Sequence, residues 1–396
     1  MTTRGSMAAE GNRRPVYRDT NLQIVFGVTL MAVLGVSSIT PAFPSIVREL
    51  NVSPQAVGSL ITAFTLPGVL LTGFLGLLAD QFGRKRILLP ALLIFALAGA
   101  ACAFARDFRI LLILRFFQGI GAAGLGAINI TIIGDLYTGP ERTSAMGCNS
   151  SVLSVGTASY PAIGGALATF GWFYPFLLPL AAIPVALAVF FSLENPEPTR
   201  PPHFRRYLGQ VWKVMASRRV FALFVVGVLT FIILYGAYMA YFPLLLGDTF
   251  SVSPFTVGLV MSISSLATAV ASSQAGRLAL SFSERSLMGA ACILYGLALV
   301  SIPVMPSLWL MAIPVSVFGI AQGINMPSLM TLLAGECDME QRGALMSVNG
   351  MVLRVGQTLG PVVMGSIYAG AGFGGVYLAA AGFALVMLVV VLAVMR

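Results

Sequence analysis

Charge is what this 396-residue sequence has least of: Asp, Glu, Lys and Arg together make up 9% of it, against about 25% in an ordinary soluble domain. There is one histidine, His203, so a histidine-based metal site or a Ser–His–Asp triad is excluded. The four cysteines, Cys102, Cys148, Cys292 and Cys337, form no C-x-x-C pair and read as small buried hydrophobes. No metal and no cofactor is expected. What is abundant is apolar surface, with 58% hydrophobic residues and a mean hydropathy of +0.91. These proportions exclude a soluble enzyme, a disordered chain and a nucleic-acid-binding module, and they leave an all-α polytopic membrane protein whose partner is the lipid bilayer.

The net charge of +9 is explained by where the basic residues fall. With a cytoplasmic N-terminus, eighteen lie on the inner side, including Arg84, Lys85 and Arg86 and six between Arg200 and Arg219. Three, Arg48, Arg106 and Arg109, lie outside. That asymmetry sets topology and calls for no nucleic acid. The polar N-tail has no cleavable-signal shape and reads as a short disordered segment.

A crossing takes about 20 apolar residues. Breaks at charges, Pro and Gly give twelve spans: 22–47, 54–79, 87–105, 109–135, 143–169, 172–193, 220–246, 254–280, 286–304, 307–334, 342–369 and 373–395. The basic, proline-rich stretch 194–219 is a cytoplasmic linker. It separates a tail (1–21) and a six-helix half (22–193) from a second six-helix half (220–396). Both termini are expected in the cytoplasm.

The halves repeat each other at an offset of 200. Val52-Ser53-Pro54 and Val57-Gly58 recur as Val252-Ser253-Pro254 and Val257-Gly258. Arg142, Met146, Asn149, Gly156, Pro161 and Gly165 recur as Arg342, Met346, Asn349, Gly356, Pro361 and Gly365. Thr138-x-x-Glu141 and Asp338-x-x-Gln341 have the form of capping boxes, also 200 apart. Two six-helix halves in parallel repeat place a pathway between them near the bilayer midplane.

The run Gly76-Leu77-Leu78-Ala79-Asp80-Gln81-Phe82-Gly83-Arg84-Lys85-Arg86 resembles the loop motif between helices 2 and 3 of the major facilitator superfamily. With the twelve spans, the repeat and the basic linker, the resemblance covers the whole chain. Arg115-Phe116-Phe117-Gln118-Gly119-Ile120-Gly121 resembles the family's helix 4 motif tied to proton coupling. Gly156-x-x-x-Tyr160-Pro161-x-x-Gly164-Gly165 resembles the helix 5 motif of its drug-antiporter branch, with Tyr160 where glycine is usual; Gly356-x-x-x-Gly360-Pro361 keeps the glycine. The resemblance implies a transporter and no enzyme.

The physics of the first motif is independent of the resemblance. Asp80, at the inner end of span 2, can meet the positive N-terminus of span 11. Gly76 would let the two backbones approach, and Gly83 would let the chain turn. Arg84 would pair with Asp135 at the inner end of span 4, and the cluster would latch the halves together on the inner face. In spans 5 and 11, Gly156, Gly164, Gly165, Gly356 and Gly360 allow close helix packing, while Pro161 and Pro361 permit bends.

Ionisable groups inside a membrane usually face a polar cavity. Arg115, Gln118 and Asn129 share a face of span 4. Gln322 and Asn325 share one of span 10, and Arg354 and Gln357 one of span 11. Asn149 and Asn349 are repeat mates. Tyr235 and Tyr238 belong to an aromatic stripe with Phe231 and Phe242 on span 7. All are expected to line a cavity for a small organic solute. Arg354, roughly 18 Å along its span, is expected between the halves together with Arg115. No carboxylate occupies a mid-membrane position.

Two functions compete. One is a monomeric exporter of drugs or metabolites by alternating access, with a proton as coupling ion. The other is an organic-anion carrier or facilitator using Arg115 and Arg354. A membrane enzyme is disfavoured because the spans lack an H-E-x-x-H, a Ser–His pair or two facing acids. A sensor would need an appended domain.

Overall fold

The computed structural model describes residues 16–194, 217–337 and 339–394. The expected linker lies largely outside the described residues. The described residues are nearly all helical and form twelve segments. They are α1 (Thr20–Glu49), α2 (Pro54–Phe82), α3 (Arg84–Cys102), α4 (Phe108–Leu136), α5 (Gly139–Phe170), α6 (Tyr174–Ser192), α7 (Arg218–Phe250), α8 (Pro254–Ser281), α9 (Glu284–Val304), α10 (Leu308–Gly335), α11 (339–371) and α12 (373–394). The last two run on from one another and part at Gly372, whose φ of 59° breaks the helical path. Among the described residues, ten helices are long and apolar enough to cross a membrane by length and composition, counting α11 with α12 as one. The remaining segment, α5, is diluted by Gly, Ser and Thr along its 32 residues.

The helix starts show why the turns fall where they do, and they repeat. Ser53 caps α2 by accepting from the Ala56 N–H, and its mate Ser253 caps α8 by accepting from the Thr256 N–H, both at 3.3 Å. Asp107 caps α4 and Ser307 caps α10. Each satisfies an orphan donor of the first turn. The mates Gly83 and Ser283 precede α3 and α9; Ser283 caps α9, whereas Gly83 takes φ +95°, open to glycine at little cost. The Thr138 capping box does not form, since Thr138 stands at the N-cap of α5 without a side-chain bond. Its mate Asp338 lies outside the described residues.

Inside each half the contacts are reciprocal too. Gly119 of α4 lies against the Phe64 carbonyl of α2, and Gly319 of α10 lies against the Ser264 carbonyl of α8. Between the halves, α5 packs on α8 and α2 on α11. The repeat makes these two seams equivalent. Pro361 sits on Gly58, and Pro161 presents its carbonyl to Gly258.

The seams occupy one end of the molecule only. Call the end bearing the turn at Gly83 the near face, and the end bearing the turns before Pro54 and Pro254 the far face. Gly165 meets Pro254, Gly247 meets Pro44, and Thr62 donates to the Thr358 carbonyl at 3.1 Å. The Thr358 hydroxyl donates to that of Thr65 at 2.9 Å. Deeper in, Gly68 meets Arg354 and Gly73 approaches Met351. Nearer the near face, Gly76 on α2, Gly147 on α5 and Gly276 on α8 have no neighbour within 4 Å of an added methyl. Among the described residues the halves are joined at the far face and open at these near-face positions.

Helix α7 departs from α geometry. Residues Ile233–Tyr241 form a π-helix, an uncommon widening that often marks functional segments. Gly236 in this stretch abuts the Gly360 carbonyl of α11.

Candidate functional site

Arg354 projects from the middle of α11 across the boundary into the first half. Its Nη1 lies against Gly68 of α2 and its Nη2 against Gly126 of α4, where a methyl on either glycine would overlap it. The residue is half-buried. Its backbone carbonyl accepts from the Thr358 hydroxyl at 2.9 Å. Tyr235, on the π-helical stretch of α7, lies within electrostatic reach of the guanidinium. Tyr235 stacks on Phe231 with ring centroids 5.8 Å apart at 15°, and Phe231 in turn covers Gly356 of α11. Gln357, one position short of a turn further along α11, is also half-buried.

Arg115 is not with Arg354, contrary to the expectation from the sequence. It is fully buried inside the first half. Nε donates to the Leu60 carbonyl of α2 at 3.3 Å, Nη1 donates to Gln118 Oε1 at 2.7 Å, and the guanidinium lies 4.2 Å from the Phe64 ring centroid. Gln118 is buried with it, its amide nitrogen packed near Gly99 of α3. A cation enclosed by a carbonyl, an amide and a ring face serves helix packing. It is not offered to a cavity.

The asparagines are also turned inward on their own halves. Asn129 of α4 donates to the Thr29 hydroxyl at 2.7 Å, and the same hydroxyl donates to the side-chain oxygen Oδ1 of Asn149 on α5. Thr29 of α1 thus joins three helices. In the second half Asn325 of α10 donates to the Thr230 hydroxyl of α7 at 2.9 Å. Asn349 of α11 reaches only the Met330 sulfur, at 3.6 Å. Gln322 accepts from Tyr295 of α9. Tyr238 is buried, donates to the Met261 carbonyl at 3.2 Å, and stacks on Phe242 and Phe318. The span 7 stripe is therefore split, with Phe231 and Tyr235 at the boundary and Tyr238 and Phe242 in the core. The three amides of Asn129, Asn149 and Asn325 found partners on neighbouring helices, which in lipid are the alternative to a wholly unpaired group, although Oδ1 of Asn129, Asn325 and Asn349 and Nε2 of Gln118 are buried without one. Sequence reading missed Thr29 and Thr230, and it missed Gly68 and Gly126, the floor under Arg354. A threonine or a glycine in an apolar span carries no signal of what it faces.

At the near face, Asp80 forms an ion pair with Arg84, and Arg84 Nε lies 3.0 Å from Asp135 Oδ2. The cluster ties α2, α3 and α4 to one another. Among the described residues it makes no ion pair between the halves, and nothing of α11 lies within 4 Å of a methyl added at Gly76. Among the described residues the ion pair of Asp80 is with Arg84, not with α11. The helix 5 and helix 11 motifs all stand at close approaches. Gly156 and Gly164 lie against α1, Gly165 against α8, Gly356 and Gly360 against α7, and Pro161 and Pro361 at the cross-half seams.

Comparison with known proteins places this arrangement. The family model of the Major Facilitator Superfamily matches residues 25–250 and 235–396. The bacillibactin exporter of Bacillus subtilis (strain 168) is 28% identical over 367 residues, covering 89% of this chain and 90% of that protein. Multidrug resistance protein 2 of the same organism is 25% identical over 353 residues, covering 87% and 88%. Among solved structures, a bacterial homolog to the human lysosomal transporter Spinster, in an inward-facing and occupied conformation, superposes with a TM-score of 0.82. That match has 19% identity and covers 97% of this chain and 98% of that one.

Proposed function

The chain belongs to the major facilitator superfamily, and from that premise we propose that it exports a small organic solute across the cytoplasmic membrane by alternating access, coupled to protons. The observation that carries the reading is the one-sided closure. Among the described residues the halves meet through two equivalent seams at the far face and are open at the near-face positions of Gly76, Gly147 and Gly276. A rocking motion about the level of Arg354 exchanges which end is closed. In this reading the near face is cytoplasmic, both termini lie there, a single chain forms the pathway, and the conformation is inward-facing. Relatives named for export of bacillibactin and for multidrug resistance support an outward direction and a small organic cargo. The acids available for proton coupling are those of the near-face cluster, Asp80 and Asp135, because the spans hold no carboxylate near mid-membrane.

Everted and right-side-out membrane vesicles carrying the chain provide the test, with a panel of labelled drugs and metabolites. Export predicts accumulation in energised everted vesicles that collapses with a protonophore. Accumulation confined to right-side-out vesicles, or uptake equal to that of vesicles lacking the chain, would refute it.

A further inference from the structure

We propose that the transported solute carries an anionic group, and that Arg354 is its docking point, with Tyr235 and Phe231 forming the wall beside it. The inference rests on the transport reading above and names the chemical class of the cargo.

The two embedded arginines make the case by contrast. Arg115 has protein partners on two of its nitrogens, with Nε on a carbonyl, Nη1 on an amide oxygen and the guanidinium against an aromatic face, and only its Nη2 is left without an acceptor. Arg354 has five N–H donors and, among the described residues, no hydrogen bond or ion pair from any of them. Two glycines, Gly68 and Gly126, lie against its terminal nitrogens and have no side chains to offer. Leaving a guanidinium without acceptors at mid-membrane depth is costly. The cost is not relieved by a carboxylate of this chain. The acids lie at helix ends, in loops or in the tail, and those of the near-face cluster already hold Arg84. An uncompensated charge placed at the junction of the halves, half-buried and not enclosed like Arg115, is arranged to receive its counter-ion from outside.

The surroundings narrow the class further. The stacked Phe231–Tyr235 pair offers an apolar surface to a ring or chain, and the Tyr235 hydroxyl is a second donor within electrostatic reach of the guanidinium. A carboxylate, sulfonate, phosphate or phenolate on an aromatic or apolar body satisfies both parts, with a charge-assisted bond at one end and ring contact at the other. A permanently cationic solute does not, because it would meet an uncompensated like charge. An anion bound at Arg354 would touch both halves at the level where they exchange contacts.

The test is equilibrium binding to the purified full-length chain in nanodiscs of zwitterionic phosphatidylcholine. The probes are matched pairs: 2-naphthoate and its methyl ester, and indole-3-acetate and its methyl ester. One charge-assisted hydrogen bond corresponds to about a tenfold or greater preference for the acid. We expect that preference in the wild type, its loss in Arg354→Gln with ester binding unchanged, and its partial retention in Arg354→Lys. Tyr235→Phe should weaken acid binding less than Arg354→Gln does. If Arg354→Gln does not fold, Gly126→Ala serves, since its methyl displaces the guanidinium while keeping the charge. It should reduce acid binding selectively. Equal affinity for acids and esters, no binding of either acid, or equal losses of both in the variants would overturn the proposal. So would acid binding that appears only in phosphatidylglycerol nanodiscs, which would assign the site to a lipid headgroup. Binding is read without transport, so a chain that binds anions yet fails the vesicle assay refutes the export reading alone.

Discussion

The repeat supplies a paired experiment on the far-face closure, because the same substitution at mated positions meets different neighbours. In Gly258→Ala the new methyl would overlap the Pro161 carbonyl oxygen and lie 2.8 Å from its carbonyl carbon and 3.1 Å from the Ala162 Cα. All of these are backbone atoms of α5, which cannot step aside singly. In Gly58→Ala the methyl meets the Pro361 ring carbon at 3.1 Å and the Ala240 Cβ at 3.8 Å, contacts that yield by a few tenths of an ångström. Replacing glycine by alanine in a helix gains about 0.5–1 kcal/mol. Overpacking costs about 1–3 kcal/mol. The helix gain is the same whichever end is closed and does not shift that balance; what shifts it is the far-face contact, slight at Gly58 and a backbone overlap at Gly258. Because the overlap exists only while the halves are joined at the far face, Gly258→Ala should favour the conformation open there, by about 5- to 150-fold for 1–3 kcal/mol. A cysteine at Thr62, introduced in a cysteine-free background, is covered by α11 at the closed seam. Its labelling by an impermeant maleimide should rise strongly in Gly258→Ala and little in Gly58→Ala. Unchanged labelling in Gly258→Ala at normal expression, or equal rises in both, would refute the reasoning.

Three further outcomes are expected. Asp80→Asn should abolish most transport while shifting the melting temperature little, since the Asp80–Arg84 pair is partly exposed and such pairs contribute about 0–1 kcal/mol; full transport at normal expression would contradict this. Thr29→Val should lower the melting temperature more than Thr230→Val, because Thr29 bonds the amides of both Asn129 and Asn149 while Thr230 bonds one amide, that of Asn325, and otherwise reaches across only to the Met387 sulfur at 3.9 Å, each lost bond costing about 0.6–2 kcal/mol in a membrane; the reverse order, measured by thermal unfolding in detergent, would refute this ranking. Arg115→Met should destabilise the first half and leave any preference for anionic over neutral solutes unchanged, since Arg115 is enclosed; a change in preference measured with the acid and ester pairs would return Arg115 to the cavity.

The number, order and ends of the twelve segments were legible in the residues alone. Their boundaries fall within a few positions of those read from charge, Pro and Gly, because hydrocarbon admits only long apolar helices and excludes the turns between them. The offset of 200 was legible as well, and it carried through to the mated caps at Ser53 and Ser253 and the mated seams at Gly58 and Gly258. Which way each helix turns was not. A neighbouring helix is as apolar as lipid, so hydropathy along a span does not distinguish a face in contact with protein from one in contact with acyl chains. For that reason Asn129, Asn149 and Asn325 read as cavity residues, although they bond sideways within their halves. For the same reason Arg115 and Arg354, equal as letters in an apolar run, differ entirely in surroundings. The tertiary structure alone decided that one guanidinium is met by Leu60, Gln118 and Phe64 and the other by two glycines of the opposite half. It also placed the π-helix at Ile233–Tyr241. Its wider turn is a matter of which carbonyl each N–H reaches once α7 is pressed against α11, and that choice belongs to packing between helices distant in the chain.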